Sequence, residues 1–184
     1  MPVPSAEQAW RMLEEADLLV PTAVVEAAIA RLADEISAAL HDRFPLLLCV
    51  MNGAVFLCGH LLPRLRFPLH LAYVHATRYG KETRGQEVVW HAQPPDAVRG
   101  RAVLVLDDIL DLGETLAAIK QRVLELGAET CHVAVLADKR KQAPKPLKAD
   151  FVGLEVEDRF VFGCGLDAHG LWRNLPAIYA MPGT

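Results

Sequence analysis

The chain lacks most of the features that would place it outside the cell, within a membrane or on nucleic acid. Its four cysteines, Cys49, Cys58, Cys131 and Cys164, lie far apart with no C-x-x-C pair. A disulfide framework needs an ordered set of cysteines, so these read as reduced core thiols of a cytoplasmic protein. The seven histidines form no H-E-x-x-H or other ligand spacing, and no protein-built zinc site is expected. The first residues carry early charges and no apolar stretch, so no signal peptide is expected either. No basic excess exists: 19 Lys and Arg against 23 Asp and Glu leave a net charge of −4, which disfavours general nucleic-acid binding. Internal repeats and low-complexity tracts are missing as well.

One run imitates a membrane span. Pro45 to Pro63 is nineteen residues without Lys, Arg, Asp or Glu, close to the ~20 that cross a bilayer. Asn52-Gly53 and His60 interrupt it, so a strand, a tight turn and a helix fit it better than one continuous helix. With 184 residues, of which 52% are apolar and 23% charged, the chain has the makeup of one globular domain spanning 1–184.

The first forty residues read as two helices within 5–41. Ser5-Ala6-Glu7-Gln8 has the capping-box pattern, and Thr22 after Pro21 opens a second helix with Val25, Ala28, Ile29, Leu32 and Ile36 at helical spacing. From Phe44 onward, short apolar runs alternate with helical segments. Strands are expected at Leu46 to Met51, Leu69 to Ala76, Glu87 to Ala92, Ala102 to Leu106 and Cys131 to Ala137, with helices at Ala54 to Leu65 and Thr115 to Leu126. Thr77 to Gln86, rich in charge and glycine, reads as a long loop. Strand, helix, strand in that order implies an α/β fold with a doubly wound, mostly parallel sheet. The segment 150–184 adds strand-like pieces, Phe151 to Val156, Phe160 to Gly163 and Ala177 to Met181, without helices between them.

Ligands of such sheets bind beyond the carboxyl ends of the strands. The most informative strand end is Val103-Leu104-Val105-Leu106-Asp107-Asp108-Ile109-Leu110-Asp111-Leu112-Gly113-Glu114-Thr115. Backbone N–H groups at the helix start could hold a phosphate, with the Thr115 hydroxyl as an extra donor. Three acids beside a phosphate cradle make sense if they bind sugar hydroxyls, a proton on a base or a bridging magnesium ion. Taken alone, they read first as plain strand-end and helix-start acids.

This pattern resembles the phosphoribosyl diphosphate (PRPP) loop of type I phosphoribosyltransferases. The stretches Asp150 to Glu155, Asp158-Arg159-Phe160-Val161-Phe162-Gly163, Gly165-Leu166-Asp167 and Arg173-Asn174-Leu175-Pro176 resemble the C-terminal hood of hypoxanthine-guanine phosphoribosyltransferases. The resemblance covers roughly residues 46 to 181. It implies a small hood subdomain, to which the helices of 5–41 and the segment 150–184 contribute. It also implies that Asp107 and Asp108 meet the ribose hydroxyls, that Asp111 faces N7 of a purine as the catalytic acid–base group, and that Asp111, Leu112, Gly113, Glu114 and Thr115 form the 5′-phosphate cradle. Lys139 is implied at the exocyclic O6, Phe160 stacked on the purine, Val161 at the C2 edge, and Arg173 at pyrophosphate. Asp167 is implied as a purine-side acid that joins Asp107 and Asp108 around Mg2+, partly through water or substrate.

Apart from the resemblance, each residue has a plainer reading. Phe160 could be core, Arg173 a surface ion pair and Asp167 a turn residue. Lys141, Lys145 and Lys148 read as a solvated loop.

Three departures from the family pattern stand out. Asn52-Gly53 replaces a common Lys-Gly, and a strained Asn52-Gly53 peptide near pyrophosphate is expected. Arg78-Tyr79 replaces Ser-Tyr in the flexible loop, which Gly80 and Gly85 could hinge. Leu112 stands where Thr is frequent, removing one hydroxyl from the phosphate cradle.

The expected activity is purine salvage: transfer of a phosphoribosyl group from PRPP to a 6-oxopurine (hypoxanthine, guanine or xanthine), by a homodimer or homotetramer with no membrane or nucleic-acid partner. A PRPP-sensing, nucleic-acid-binding regulator with the same fold is the alternative.

Overall fold

The computed structural model describes residues 4–78 and 88–183. Tyr79, Gly80 and Gly85, expected in the flexible loop, lie outside them. The chain opens with α1 (Ala6–Glu14), whose capping box is formed as expected: Ser5 Oγ accepts from the Gln8 N–H at 3.2 Å and Gln8 Oε1 from the Ser5 N–H at 2.8 Å. A short strand, β1 (Asp17–Val20), follows, and Pro21 caps α2 (Thr22–Leu40). The periodic residues Val25, Ala28, Ile29, Leu32 and Ile36 are all buried on one face of α2.

Next come β2 (Leu46–Val50), α3 (Val55–Leu61), β3 (His70–Arg78), β4 (Val88–Ala92) and β5 (Ala102–Leu110). Then α4 (Glu114–Glu125), β6 (Thr130–Lys139) and β7 (Phe151–Val156) complete the large sheet. Helix α3 ends earlier than the expected Leu65, because Pro63 supplies no N–H and the chain tightens into a 3₁₀ turn at Leu62–Arg64. The strand order is β4-β3-β2-β5-β6-β7, parallel throughout except for β4.

Connection β2–α3–β3 runs one way across the sheet and β5–α4–β6 the other. With right-handed crossovers, α3 and α4 therefore lie on opposite faces. Strands β2 and β5 flank the point where the winding reverses, and the loops after them open a crevice there. Every residue of β2 is buried, as a strand covered on both faces requires.

A small antiparallel sheet, β1-β9-β8, is built from β1 together with β8 (Val161–Phe162) and β9 (Ile178–Ala180). Helix α1 joins it through Trp10, which packs edge-on against Trp172 at 5.3 Å, and through the Trp172 indole N–H, which donates to Ala9 O. Arg159 ties its two ends, reaching Asp17 at 2.5 Å and the Met181 carbonyl at 2.8 Å.

These placements refine the expected hood. Its N-terminal share is α1 and β1, whereas α2 packs on the large sheet beside β7, with Leu32 against Gly153. Phe151–Val156 pairs with β6 and so belongs to the large sheet, and Phe160 sits just before a strand that starts at Val161. Alternation alone could not separate a core edge strand from a hood strand, since both leave one face half-buried.

Candidate active site

Strand β5 runs four residues past Leu106, so Asp107 and Asp108 lie within the strand, alongside β6, rather than at its end. Asp107 Oδ1 accepts the Asp108 N–H at 2.9 Å. Burial pushes the Asp107 carboxyl well above its ordinary range, and the neighbouring Asp108 charge adds to the effect. Asp108 is raised too, first by burial, with the Asp107 hydrogen bond and Arg173 opposing.

Two glycines let the backbone close around this pair. A Cβ on Gly53 would sit 2.2 Å from Asp108 Oδ2, and one on Gly165, at φ +102°, would sit 2.1 Å from Gly53 O. The expected strained Asn52-Gly53 bond is thus corrected: the cis peptide is Met51-Asn52, one bond earlier, and glycine at 53 is demanded by the approach of Asp108.

Beyond β5 the chain turns through Gly113, at φ +81°, into α4, whose cap residue offers no side-chain acceptor to the first turn. A helix start of this kind suits a phosphate. Leu112 is exposed there.

At the end of β6, Lys139 is only 8% exposed and its ammonium lies 3.2 Å from Asp111 Oδ2. Lys141 lies 3.0 Å from Asp111 Oδ1 and 2.5 Å from Asp158. Burial works to raise the Asp111 carboxyl, but Lys141 and Lys139 together hold it below its ordinary range. Lys145 donates to the carbonyls of Leu110 and Lys139, each at 2.6 Å, and to Asp138. The expectation that Lys141 and Lys145 are solvated is therefore corrected. The acids at the two strand ends draw them in.

The hood supplies the remaining wall. Phe160 is 45% exposed, its ring 6.4 Å from that of His169, and Val161 is buried in β8. Arg173 donates to Asp167 and to the Gly165 carbonyl, both at 2.6 Å, and stands 3.8 Å from Asp108. The other Asp167 oxygen accepts the Gly170 N–H at 2.7 Å, so Asp167 is a turn residue as well.

A cavity of about 460 Å³ joins these parts at the winding reversal. Asn52, Gly53, Asp107, Asp108, Asp111, Leu112, Gly113, Glu114, Thr115, Lys139, Phe160, Val161, Asp167 and Arg173 all line it. Of the expected site residues, only Arg78 and Tyr79 are left. Arg78 ends β3, paired with Val88, and Tyr79 lies outside the described residues.

The sequence matches the phosphoribosyl transferase domain family over residues 18–169. The chain belongs to that family. Within it, the chain is 32% identical to the hypoxanthine-guanine phosphoribosyltransferase of Bacillus subtilis (strain 168), over 88% of this chain and 90% of that protein. It is 31% identical to the hypoxanthine-guanine-xanthine phosphoribosyltransferase of Tritrichomonas foetus, over 84% and 85%. A solved hypoxanthine-guanine-xanthine phosphoribosyltransferase superimposes with a TM-score of 0.76 at 28% identity, covering 92% of this chain and 97% of that one. The phosphoribosyltransferase fold accounts for the crevice, the carboxylate pair and the hood as one arrangement.

Sequence reasoning missed three contributors: Lys141, Lys145 and Asp158. The only signal for them was a dense run of lysines facing acids that end neighbouring strands. As for metal, Asp107 and Asp108 offer hard oxygen donors of the kind magnesium takes, and their raised carboxyls would be relieved by a cation. Among the described residues no three His, Cys, Asp or Glu side chains gather as a ligand cluster. Most of the ligands would have to come from substrate or water.

Proposed function

We propose that this phosphoribosyltransferase moves a 5-phosphoribosyl group from PRPP to a 6-oxopurine, releasing pyrophosphate and a nucleoside 5′-monophosphate. The observation that carries the reading is the coexistence, in one cavity, of a carboxylate pair beside an uncapped helix start and a buried lysine, Lys139, paired with the half-exposed Asp111 near an exposed aromatic, Phe160. One half has the chemistry of a sugar phosphate. The other has that of a flat heterocycle with an acceptor oxygen.

In this reading Asp107 and Asp108 accept from the ribose hydroxyls, and residues 111 to 115 hold the 5′-phosphate. Phe160 covers the purine face, while the Val161 backbone meets its C2 edge. Lys139 donates to O6 and stabilises electron density there, and Asp111 takes the proton from the ring nitrogen side. Arg173, with Asn52-Gly53 nearby, faces the departing pyrophosphate. Magnesium, held by Asp107 and Asp108 with Asp167 acting through water, would offset charge on the diphosphate. Exclusion of water from the reacting groups is assigned to Arg78 and to Tyr79, which lies outside the described residues.

The protein acts in the cytoplasm as a homodimer or homotetramer. All four cysteines are buried free thiols, and Leu71 and Tyr73 on β3 and Val55 on α3 are exposed apolar side chains suited to a subunit contact. Light scattering coupled to size exclusion tests the assembly. No helix among the described residues is long and apolar enough to cross a membrane.

Incubation with PRPP and magnesium and, in turn, hypoxanthine, guanine, xanthine and adenine tests the reaction. Nucleotide from at least one 6-oxopurine is expected. Adenine as the sole substrate would refute the assignment.

A further inference from the structure

Lys139 carries two tasks in the reading above, and one ammonium cannot do both at full strength. It pairs with Asp111 Oδ2 at 3.2 Å, yet in the proposed reaction a purine oxygen must claim the same N–H groups. Asp111 would then lose a counter-charge just as its carboxylate is needed. Asp111 Oδ1 is also demanding, because it is buried and no well-aligned hydrogen bond reaches it. The nearest compensating charge is Lys141, 3.0 Å away, fixed from behind by Asp158 at 2.5 Å. Lys141 is outside the cavity lining, so an incoming purine does not compete for it.

We infer that Lys141 is a positioning residue for the purine-side carboxylate: it keeps hold of Asp111 Oδ1 while Lys139 turns to the purine oxygen. The Asp158 contact lies two residues before Phe160, so the same ammonium also links Asp111 to the hood turn that leads into the aromatic cover. This inference rests on the proposed reaction for its purpose, but its geometry does not.

The charged groups around Asp111 are few. Strand β6 contributes Lys139 and Asp138, and the loop after it Lys141 and Lys145, the latter paired with Asp138 and seated on the carbonyls of Leu110 and Lys139. The hood turn brings Asp158 against Lys141, and the first turn of α4 places Glu114 in the same cavity. Removing Lys141 leaves Lys139 as the one ammonium within ion-pair distance of Asp111 among the described residues.

The test is carboxyl carbon-13 NMR of Asp111, assigned with D111N, in wild type, K141M, K141R and D158N. In K141M the Asp111 titration midpoint should rise by about one pH unit, the usual scale for losing one close opposite charge. Adding inosine 5′-monophosphate should widen that rise, because Lys139 is then engaged. K141R should restore the wild-type midpoint, and D158N should leave it at or below wild type, since Lys141 then serves Asp111 alone. The acid limb of kcat/KM for the purine should move up with the midpoint in K141M while the alkaline limb stays. An unchanged midpoint in K141M, or an equal rise in D158N, would overturn the inference. The titration needs no turnover, so wild-type protein that makes no nucleotide would fail the proposed reaction without touching this result.

Discussion

At the ribose end of the cavity two adjacent carboxylates, Asp107 and Asp108, share one guanidinium, Arg173, 3.8 Å from Asp108. At the purine end a single carboxylate, Asp111, is held by two ammoniums within 3.2 Å. The first end carries surplus negative charge, and both its carboxyls are raised. The second is neutralised in advance, and its carboxyl is lowered. Groups that await a charged substrate or cation are costly until it comes, whereas groups that work on a neutral base can be satisfied from within the protein. The two ends of one strand-end loop thus divide the labour of storing strain and storing order.

Breaking the purine end should have the largest effect on rate. Asp111→Asn is expected to lower kcat by roughly 10²- to 10⁴-fold, the usual worth of an acid–base group. Steady-state assays at saturating PRPP check it, and full retained activity would remove Asp111 from the proton transfer.

Breaking the ribose end should trade function for stability. Asp107→Asn removes a carboxyl that burial holds well above the ordinary carboxylate range in the folded protein. Such a group favours the folded state while it is protonated below its unfolded value, and that advantage is lost as pH rises through the folded one. The wild-type protein should therefore lose stability as pH climbs above this range, and Asp107→Asn should flatten the slope. Its thermal midpoint near neutral pH should rise, on a scale of ~2–4 °C per kcal/mol for a domain of this size. Asp111 has the opposite sign, because its lowered value adds stability that disappears as pH falls through the folded value. Calorimetry across pH with PRPP absent separates the two. A lower midpoint for Asp107→Asn at neutral pH would contradict the contrast.

Lys145 lets the comparison be sharpened without touching either end directly. Its ammonium bridges the carbonyls of Leu110 and Lys139, the residue before Asp111 and the purine lysine itself. Lys145→Met should cost roughly 1.5–3 kcal/mol in denaturant unfolding, the range for hydrogen bonds to a charged group. It should also lower kcat/KM by roughly tenfold, equivalent to about 1.4 kcal/mol. Equal kcat/KM in the two proteins would confine Lys145 to stability.

The two ends were not equally legible in the sequence. Asp107, Asp108, Gly113 and Thr115 stand in one contiguous stretch whose order maps onto a strand end and a helix start, so local pattern placed them. Lys139 and Phe160 needed the resemblance, since nothing in their neighbours distinguishes a site lysine from a loop lysine. Lys141 and Lys145 stayed hidden because their acids, Asp111, Asp158 and Asp138, come from two strand ends and a hood turn that only the fold brings together. Strand β1 was hidden for a related reason: four residues whose partner, β9, lies at the far end of the chain carry no periodic signal of their own.

The smallest expected effect returns to the phosphate cradle. Leu112 lines the cavity as an exposed apolar side chain at a turn where every other group is small or polar, flanked by Asp111, Gly113, Glu114 and Thr115. Leu112→Thr exchanges exposed apolar surface for a hydroxyl beside the proposed 5′-phosphate, so no core contact is lost and one donor is gained. A net hydrogen bond is worth roughly 0.5–1.5 kcal/mol, and one to a charged acceptor somewhat more. The KM for PRPP should therefore fall about two- to tenfold, with kcat and the KM for the purine unchanged, because the gain is made equally in ground and transition states. A change confined to kcat would mean that residue 112 acts on the reacting carbon through the loop. A change in the purine KM would mean that the ribose and purine ends are coupled more tightly than their opposite electrostatics imply.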